Sequence, residues 1–394
     1  MTIRKSTAQV EGDAQKNEAP QTLSSVKNLT QIAHIAAQSL SKETWSFNYA
    51  AAGDHISKTM EAEVYCSIFL RPRIFRDVRE CDISTTMLGN NVGFPVFASP
   101  MAMALRFHQD GEKGVTEACR EFGAMHVISN NASMPVEEIV KDAGPDQVFG
   151  FQIYIQRDRA ESEALLERIH KIDKIKCLFV TVDEPVIGKH EVDQAGHDLY
   201  EFLNSGRTEA LKERGGIKLG MPFASGPAAD LTWQETLDWL TAHTDLPIVL
   251  KGVQTHEDAM IASVYAPQIK GMMLSNHGGR VLDTAPPAIC TLLEIRRFCP
   301  EVFDKLEVFV DGGISRGTDV VKAMCLGAKA VGIGRPVLWG LGAGGAEGVK
   351  RTFEILANEI KSSMQILGVQ KVSDLGTQHV NCKRVEGYLY DGRV

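Results

Sequence analysis

Short apolar runs alternate with longer amphipathic segments along the chain from residue 94 onward. Helical patterns, for example over Asp158–Ile172 and Trp233–Ala242, separate most of these runs. Near-continuous apolar strands alternating with helices are typical of a parallel sheet covered by helices on both faces, which predicts an α/β fold. The eight predicted strands are Phe94–Ser99, His126–Ser129, Gln147–Tyr154, Cys177–Asp183, Pro247–Val253, Gly271–Ser275, Leu306–Asp311 and Ala330–Ile333.

Eight strand–helix units favour a closed (β/α)8 TIM barrel. A doubly wound open sheet is the alternative, but no Gly-x-Gly-x-x-Gly motif follows the first predicted strand. Residues 29–88 precede the barrel and carry helical patterns over 29–40 and 44–51. They predict an N-terminal helical extension that either caps the barrel bottom or lies against the active-site mouth. The polar, glycine-containing segment 186–231 follows the fourth strand and predicts a long, lid-like loop.

Composition and charge narrow the class of protein. The chain has 394 residues, of which 44% are apolar and 23% charged, as in ordinary globular proteins. The formal net charge of -8 argues against a nucleic-acid partner, and no apolar run approaches the roughly 20 residues of a membrane helix. Residues 1–22 are polar and contain no aromatic residue, which predicts a disordered tail before a single barrel domain over 23–394.

The cysteines and the chain ends bear on location. Eight cysteines are scattered without a Cys-x-x-Cys pair, which favours free thiols in a reducing compartment and argues against a zinc site. The tail has no apolar segment of a secretory signal, and Gly392–Val394 is not a peroxisomal address. We therefore expect a cytoplasmic protein without a metal centre and without a membrane partner.

The most informative strand end is the sixth, where Gly271–Ser275 is followed by Asn276-His277-Gly278-Gly279-Arg280. Functional residues of a (β/α)8 barrel lie at the carboxyl ends of its strands. Histidine exchanges a proton near neutral pH, and arginine can bind a carboxylate through two parallel hydrogen bonds. A base beside an anion-binding arginine indicates chemistry on a small acid.

Other predicted strands also end in polar groups. Asp183 ends the fourth strand and Lys251 lies in the fifth. Because a buried charge costs several kcal/mol unless it is paired, we expect Asp183, Lys251 and His277 to face a ligand or one another around the barrel mouth.

The last two strand ends predict a phosphate site. Asp311-Gly312-Gly313 follows the seventh strand and Gly334-Arg335 follows the eighth. Barrels commonly bind a phosphate at these two loops, through backbone N–H groups. With Gln152, Thr181 and Lys251 deeper in the barrel, the site suits a cofactor with a polar ring and a phosphate tail. FMN fits this description, and pyridoxal phosphate competes with it.

Four motifs are specific when taken together: Leu178–Asp183, Ser275–Arg280, Asp311–Asp319 and Gly334–Pro336. In combination they resemble the FMN-dependent 2-hydroxy-acid oxidising enzymes, which include glycolate oxidases, lactate oxidases and the flavin domain of flavocytochrome lactate dehydrogenases. The resemblance covers roughly residues 29–367. It implies a TIM barrel, FMN as the cofactor and a homo-oligomer, usually a tetramer.

The resemblance also implies roles for individual residues. His277 would be the active-site base, and Asp183 would orient it and stabilise its imidazolium. Lys251 would face the N1–C2=O edge of the flavin and stabilise the anionic reduced ring. Arg280 would bind the substrate carboxylate, and Tyr154 a substrate oxygen. The remaining residues expected to bind FMN are Pro100, Met101, Ala102, Ser129, Gln152, Thr181, Ser275, Asp311, Gly312, Gly313, Ser315, Gly334 and Arg335.

Three positions depart from the family pattern. Asn48 occupies the position of a substrate-binding tyrosine, and His190 that of a second active-site arginine. Ser315 stands where an arginine commonly approaches the flavin phosphate. Neighbours such as Tyr49 and Lys189 could compensate for the first two changes. Two substrate-binding positions changing together nevertheless favour a different substrate, which Asn48 and His190 would contact.

The sequence thus predicts an FMN-dependent oxidase that removes two electrons at the α-carbon of a small carboxylic acid. The expected reaction converts a 2-hydroxy acid to a 2-oxo acid and reduces oxygen to hydrogen peroxide. Ala102 supports this choice, since the family's oxidases and dehydrogenases carry alanine there. One alternative is the same flavin chemistry on a cyclic amino or imino acid in a biosynthetic tailoring step. Another is a non-catalytic flavin-binding protein.

Overall fold

The computed structural model of the protein describes residues 22–186, 188–189, 225–390 and 392. The predicted tail over 1–22 falls outside these ranges except for Thr22. Most of the predicted loop over 186–231, including the predicted substrate contact His190, also lies outside the described residues.

Eight parallel strands close into a barrel, which confirms the predicted (β/α)8 fold. Each strand pairs with the next along the chain, and the eighth pairs with the first through Val331 and Val96. This last pairing excludes the open sheet. The strands are β1 (Val96–Ala98), β2 (His126–Ile128), β3 (Phe149–Ile153), β4 (Ile175–Thr181), β5 (Ile248–Val253), β6 (Ile269–Leu274), β7 (Glu307–Val310) and β8 (Ala330–Ile333).

Helices surround the barrel and precede it. The described helices are α1 (Leu29–Ser39), α2 (Lys42–Tyr49), α3 (Ile56–Val64), α4 (Gly111–Phe122), α5 (Val136–Val140), α6 (Arg159–His170), α7 (Trp233–His243), α8 (His256–Val264), α9 (Ala288–Phe298), α10 (Val302–Lys305), α11 (Gly317–Cys325) and α12 (Arg335–Leu367). The last is interrupted by non-helical backbone at Gly344 and Gly345. Across the described ranges, none of the helices combines the length and apolar character that spanning a bilayer requires.

Aromatic side chains fill the lower part of the barrel. The rings of Phe97, Phe179 and Phe309 pack with centroids 5.9 to 6.2 Å apart. A short antiparallel pair of strands, Thr85–Met87 with Asn90–Val92, adds Met87 and Val92 to the same buried cluster. Each buried phenylalanine contributes about 2–3 kcal/mol of hydrophobic stabilisation. This packed floor leaves only the upper end of the barrel for polar groups.

The helices of the N-terminal extension, α1 to α3, lie at the mouth of the barrel, whereas its last strand, Thr85–Met87, joins the floor. Helix α1 packs against α12, while residues of α2 and α3 line a cavity together with the strand ends. Side-chain caps fix where these helices begin: Asn28 Oδ1 accepts from Gln31 N at 3.0 Å, and Ser41 Oγ accepts from Thr44 N at 3.2 Å. The extension therefore contributes one wall of the site.

Candidate active site

A cavity of about 1110 Å³ lies between the carboxyl ends of the strands and the N-terminal extension. Most of the residues predicted from sequence as site residues line it. They are Asn48, Pro100, Met101, Ala102, Tyr154, Lys251, His277, Arg280, Asp311, Gly312, Gly313, Ser315, Gly334 and Arg335. The cavity is larger than a small acid requires, so it has room for a cofactor and a substrate together.

His277 is held in a tight turn after β6. Its main-chain φ is +59°, and His277 N donates to Ser275 Oγ at 3.0 Å. The turn continues through Gly278 and Gly279, both also with positive φ, and Asn276 Oδ1 accepts from Gly279 N at 2.9 Å. A positive φ at a histidine costs about 1 kcal/mol, which the surrounding hydrogen bonds offset. The turn points the imidazole into the cavity, 21% exposed.

Asp183 sets the tautomer of that imidazole. His277 Nδ1 lies 3.0 Å from Asp183 Oδ1, and the Asp183 side chain is fully buried. Burial raises the pKa of Asp183, but Lys251 and His277 outweigh it and hold the pKa below its usual value. An ionised carboxylate only accepts hydrogen bonds, so the proton of neutral His277 sits on Nδ1. Nε2 therefore has a lone pair that can take up a proton.

Lys251 is a buried cation at the end of β5. Its Nζ lies 3.9 Å from Asp183 Oδ2 and has no hydrogen-bond partner among the described residues. Asp311 Oδ1, after β7, is likewise unpartnered within that part of the chain. Burial raises the pKa of Asp311, and Lys251 opposes this effect. Buried groups without partners are costly, which indicates that a ligand completes their hydrogen bonds.

A network of polar side chains joins the ends of β2, β3 and β4. Gln152 Oε1 accepts from Ser129 Oγ at 3.2 Å and from Asn130 N at 3.1 Å. Gln152 Nε2 donates to Thr181 Oγ1 at 2.9 Å. The structure thus brings together three residues that the sequence placed on separate strand ends. Ser275, at the end of β6, accepts from His277 N at 3.0 Å through its Oγ, and its side chain acts to lower the pKa of Asp311.

The glycine loop after β7 and the start of α12 form the predicted phosphate end. Gly312 and Gly313 have φ of +89° and +69°, and a Cβ added to Gly334 would meet open space. The N-terminus of α12 provides backbone N–H groups and the positive end of a helix dipole. The backbone N–H of Ser315 is already hydrogen-bonded, since it donates to Asp319 Oδ2 at 3.2 Å. The N–H of Arg316 donates to the same oxygen at 3.0 Å.

Arg335 anchors the N-terminal extension to the barrel. Its guanidinium donates to Asn48 O at 3.1 Å, Ala50 O at 3.0 Å and Gly278 O at 2.9 Å. Burial and the neighbouring Arg280 lower the pKa of Arg335 to about 10, so it is charged at neutral pH. Arg335 therefore presents a fixed positive charge at the phosphate end.

The predicted substrate contacts are also tied to the extension. Arg280 Nη1 donates to Phe47 O at 3.0 Å and to Ala50 O at 3.1 Å, with its guanidinium 5.0 Å from the centre of the Phe47 ring. Asn48 is buried, and its Oδ1 accepts from Trp339 Nε1 at 2.8 Å. Asn48 thus supports the cavity wall through α12.

Two buried acids at the site were missed by the sequence analysis. Glu184 Oε2 accepts from Tyr154 Oη at 2.9 Å and lies 3.9 Å from His277 Nε2. Glu61 lies on α3 against the glycine loop, 2% exposed. For Glu184 the sequence held a signal, since it directly follows the strand-end Asp183. Glu61 shares the buried face of α3 with Ser57 and Val64, and the sequence does not mark that face as apolar. Both lacked a motif.

Comparison with known proteins agrees with this geometry. The family model described as FMN-dependent dehydrogenase matches residues 36–382. The chain belongs to this family. The protein is therefore an FMN-dependent oxidoreductase, and the resemblance found in the sequence is confirmed. FMN supplies a ring that accepts two electrons from a C–H bond.

Individual relatives extend over nearly the whole chain. L-lactate dehydrogenase (cytochrome) of Saccharomyces cerevisiae is 38% identical over 367 residues, which cover 90% of this chain and 60% of that protein. 2-Hydroxyacid oxidase 2 of Mus musculus is 36% identical over 351 residues, covering 89% of this chain and 97% of the relative. A flavocytochrome b2 mutant superposes with a TM-score of 0.83 at 34% identity, covering 98% of this chain and 94% of its own.

The residues of this chain fit FMN. Lys251 Nζ and Asp311 Oδ1 are buried polar atoms whose partners a ring edge and a ribityl hydroxyl would supply. The glycine loop and the start of α12 suit a phosphate, and Arg335 adds charge. Family membership identifies the cofactor as FMN and not pyridoxal phosphate. It also identifies the protein as an enzyme and not a non-catalytic flavin-binding protein. Among the residues that the structure describes, no group of three acidic, histidine or cysteine side chains is arranged to hold a metal ion.

Proposed function

We propose that this FMN-dependent enzyme oxidises the α-carbon of a small carboxylic acid, converting a 2-hydroxy acid to a 2-oxo acid with oxygen as the acceptor and hydrogen peroxide as the product. The observation that carries the proposal is the 3.0 Å contact between His277 Nδ1 and the buried Asp183. It leaves Nε2 as a base inside a cavity that also fits FMN. Relatives named 2-hydroxyacid oxidase and lactate oxidase support the substrate class.

Each polar group has a part in the proposed reaction. His277 Nε2 takes a proton from the substrate as two electrons leave its α-carbon, and Asp183 stabilises the resulting imidazolium. Lys251 balances the negative charge that the flavin gains. Arg280 binds the substrate carboxylate, and Tyr154 contacts the oxygen on the α-carbon, since Tyr154 Oη lies 3.5 Å from His277 Nε2.

The acceptor, assembly and location belong to the same proposal. Oxygen is supported by the relatives named oxidases, although another relative is named for cytochrome. We propose a homotetramer on the family resemblance. All eight cysteines are free in the structure, which supports a cytoplasmic, reducing environment.

The test is anaerobic reduction of the bound flavin. Purified protein is mixed with glycolate, lactate, longer 2-hydroxy acids and cyclic amino and imino acids, and bleaching of the flavin absorbance is followed. We expect rapid bleaching by at least one 2-hydroxy acid, and hydrogen peroxide equal to the product formed when air is admitted. A panel in which no acid bleaches the flavin contradicts the proposed reaction, and bleaching without peroxide contradicts oxygen as the acceptor.

A second candidate function, the same oxidation on an amino or cyclic imino acid, is favoured by Glu184. Its carboxylate is 6% exposed and lies at the same end of the cavity as His277 Nε2. A cationic nitrogen on the α-carbon of a substrate would form an ion pair with the Glu184 carboxylate, which a hydroxyl group does not form. In this reaction the α C–H electron pair goes to the flavin, His277 takes an N–H proton, and a C=N bond forms that water then hydrolyses.

Glu184→Gln distinguishes the two candidates because the amide keeps a hydrogen-bond acceptor for Tyr154 and removes the charge. If the substrate is an amine, flavin reduction by the best amino acid should slow about 100-fold, corresponding to the roughly 3 kcal/mol of a broken buried pair. Reduction by the hydroxy acid of the same skeleton should be unaffected or faster. Equal effects on both acids would remove the support for an amine substrate. The exposed Glu138→Gln is the control.

A further inference from the structure

Glu61 lies directly on the glycine loop of the phosphate end. A Cβ added to Gly312 would overlap both carboxyl oxygens of Glu61, and one added to Gly313 would overlap its carbonyl oxygen. The loop is thus shaped around this side chain. Glu61 Oε1 has no hydrogen-bond partner within the described part of the chain, and the backbone of Ala288 acts to lower the pKa of this carboxyl group.

The charges at the phosphate end of the cavity disfavour an ionised Glu61. Glu61 and Asp311 are both buried acids that line the cavity, each with one unpartnered oxygen. The guanidinium of Arg335 already donates to three carbonyl groups, and Ser315 brings no charge. A phosphate carries nearly two negative charges at neutral pH. An ionised Glu61 in this buried position would repel it strongly.

A neutral carboxyl group has the opposite effect, because it offers an O–H donor to the phosphate. We propose that Glu61 binds the phosphate end of FMN as a neutral carboxylic acid that donates its O–H to a phosphate oxygen. The charge-assisted hydrogen bond replaces part of the attraction that an arginine at the position of Ser315 would provide. This role concerns the cofactor alone, so it stands whichever acid the enzyme oxidises.

The ionisation of the surrounding groups agrees with this role. Burial and then Asp311 raise the pKa of Glu61 to about 8, against the opposing effect of Arg335. The other titratable groups facing Glu61 are Tyr65 and Cys290, whose pKa values are raised, that of Cys290 to about 12. Arg335 has a pKa of about 10. The neutral form of Glu61 therefore predominates at pH 7 and its ionised form at pH 9, while Arg335 stays mostly charged over this range.

The consequence is a cofactor affinity that weakens in mild alkali. Below pH 8 Glu61 is neutral and binds the phosphate, and above pH 8 it ionises and repels it. If only the neutral form binds, the neutral fraction at pH 9 is about one tenth, so the apparent Kd for FMN should rise about tenfold between pH 7 and 9. The phosphate itself does not contribute, since its second pKa is about 6.

The experiment measures FMN release from the holoprotein by recovery of flavin fluorescence on dilution, at constant ionic strength and at pH values from 7 to 9. Riboflavin bound to the same protein is the matched ligand, because it lacks only the phosphate. We expect the tenfold loss for FMN and an unchanged Kd for riboflavin. A Kd for FMN that is constant over this pH range overturns the proposal, as does an equal loss for riboflavin.

Variants separate Glu61 from its neighbour. Glu61→Gln keeps a donor and cannot ionise, so its Kd for FMN should stay within about threefold of the wild-type value at pH 7 and not change up to pH 9. Asp311→Asn should retain a pH dependence, and the exposed Glu138→Gln should match the wild type. A Kd for FMN that still depends on pH in Glu61→Gln overturns the proposal. The wild-type comparison of FMN with riboflavin tests it even if a variant fails to fold.

Discussion

At the scale of single residues, the chemistry depends on which nitrogen of His277 carries the proton. The buried Asp183 holds the proton on Nδ1, and it is itself kept ionised by Lys251, 3.9 Å away. Three charged or polar groups on three strand ends thus act as one unit. Each of them alone would be a costly buried group, and together they prepare a base that faces the cavity.

Asp183→Asn should therefore impair catalysis far more than cofactor binding. The amide can donate to Nδ1, which would place the imidazole proton on Nε2 and remove the base. We expect the flavin reduction rate to fall by about 10³-fold or more, while the protein remains yellow. Stopped-flow absorbance under anaerobic conditions measures the rate, and the exposed Asp173→Asn serves as the control. A rate within tenfold of the wild type would show that Asp183 does not set the tautomer.

At the scale of elements, the loops after β6 and β7 pack closely against the N-terminal extension because glycines leave room at the contacts. The loop after β7 passes so near α3 that no side chain fits at Gly312, whose φ is +89°. The turn after β6 is also close to α3, since a Cβ at Gly279 would lie 2.7 Å from the backbone nitrogen of Lys58. The N-terminal extension is therefore part of the site only because these loops lack side chains at the contacts.

Gly312→Ala tests this dependence. The new methyl group would overlap Glu61 and displace either α3 or the loop, so FMN binding should weaken by at least tenfold. Gly89→Ala is the matched control, because Gly89 also has a positive φ of +78° but has no atoms within 4 Å of the added Cβ. Gly89→Ala should cost only about 1 kcal/mol of unfolding free energy and leave the Kd for FMN unchanged. Equal losses of FMN in both variants would contradict the steric explanation.

At the scale of the whole molecule, the barrel also buries titratable groups that have no part in the reaction. His126 in β2 is 2% exposed, and its Nδ1 lies 3.0 Å from Thr116 Oγ1 on α4. Burial lowers the pKa of His126 to about 3. The unfolded chain, with a histidine pKa near 6.5, binds more protons than the folded chain over this interval. His126 therefore destabilises the fold as the pH falls below about 6.5.

This effect should be visible in acid unfolding. At pH 5 the shift corresponds to about 2 kcal/mol of lost unfolding free energy relative to pH 7.5. His126→Asn cannot take up the proton, so its stability should fall less over this interval by about that amount, whatever its stability at pH 7.5. Denaturant unfolding at several pH values measures the difference. Parallel pH profiles for the wild type and the variant would contradict the assignment to His126.

Much of the fold and of the site could be predicted from the sequence because both repeat a local pattern. Buried strands read as apolar runs, and the polar residues that end them, such as Lys251, Asp183 and His277, are recognisable by position. The side of the barrel covered by the extension could not be read this way. Residues 29–88 have helical periodicity, but periodicity does not tell which end of the barrel a helix covers.

The sequence by itself determined the barrel and the FMN-dependent family, and it predicted His277 as the base, because strand-end motifs such as Ser275–Arg280 carry their chemistry in consecutive residues. Only the tertiary structure decided which acids join them. Tyr154 and Glu184 meet His277, 123 residues beyond Tyr154 in the chain, and Glu61 meets Gly312 through the packing of α3 on the glycine loop. A carboxyl group becomes a ligand, a neutral acid or a solvated charge according to its surroundings, and those are set by packing between distant segments.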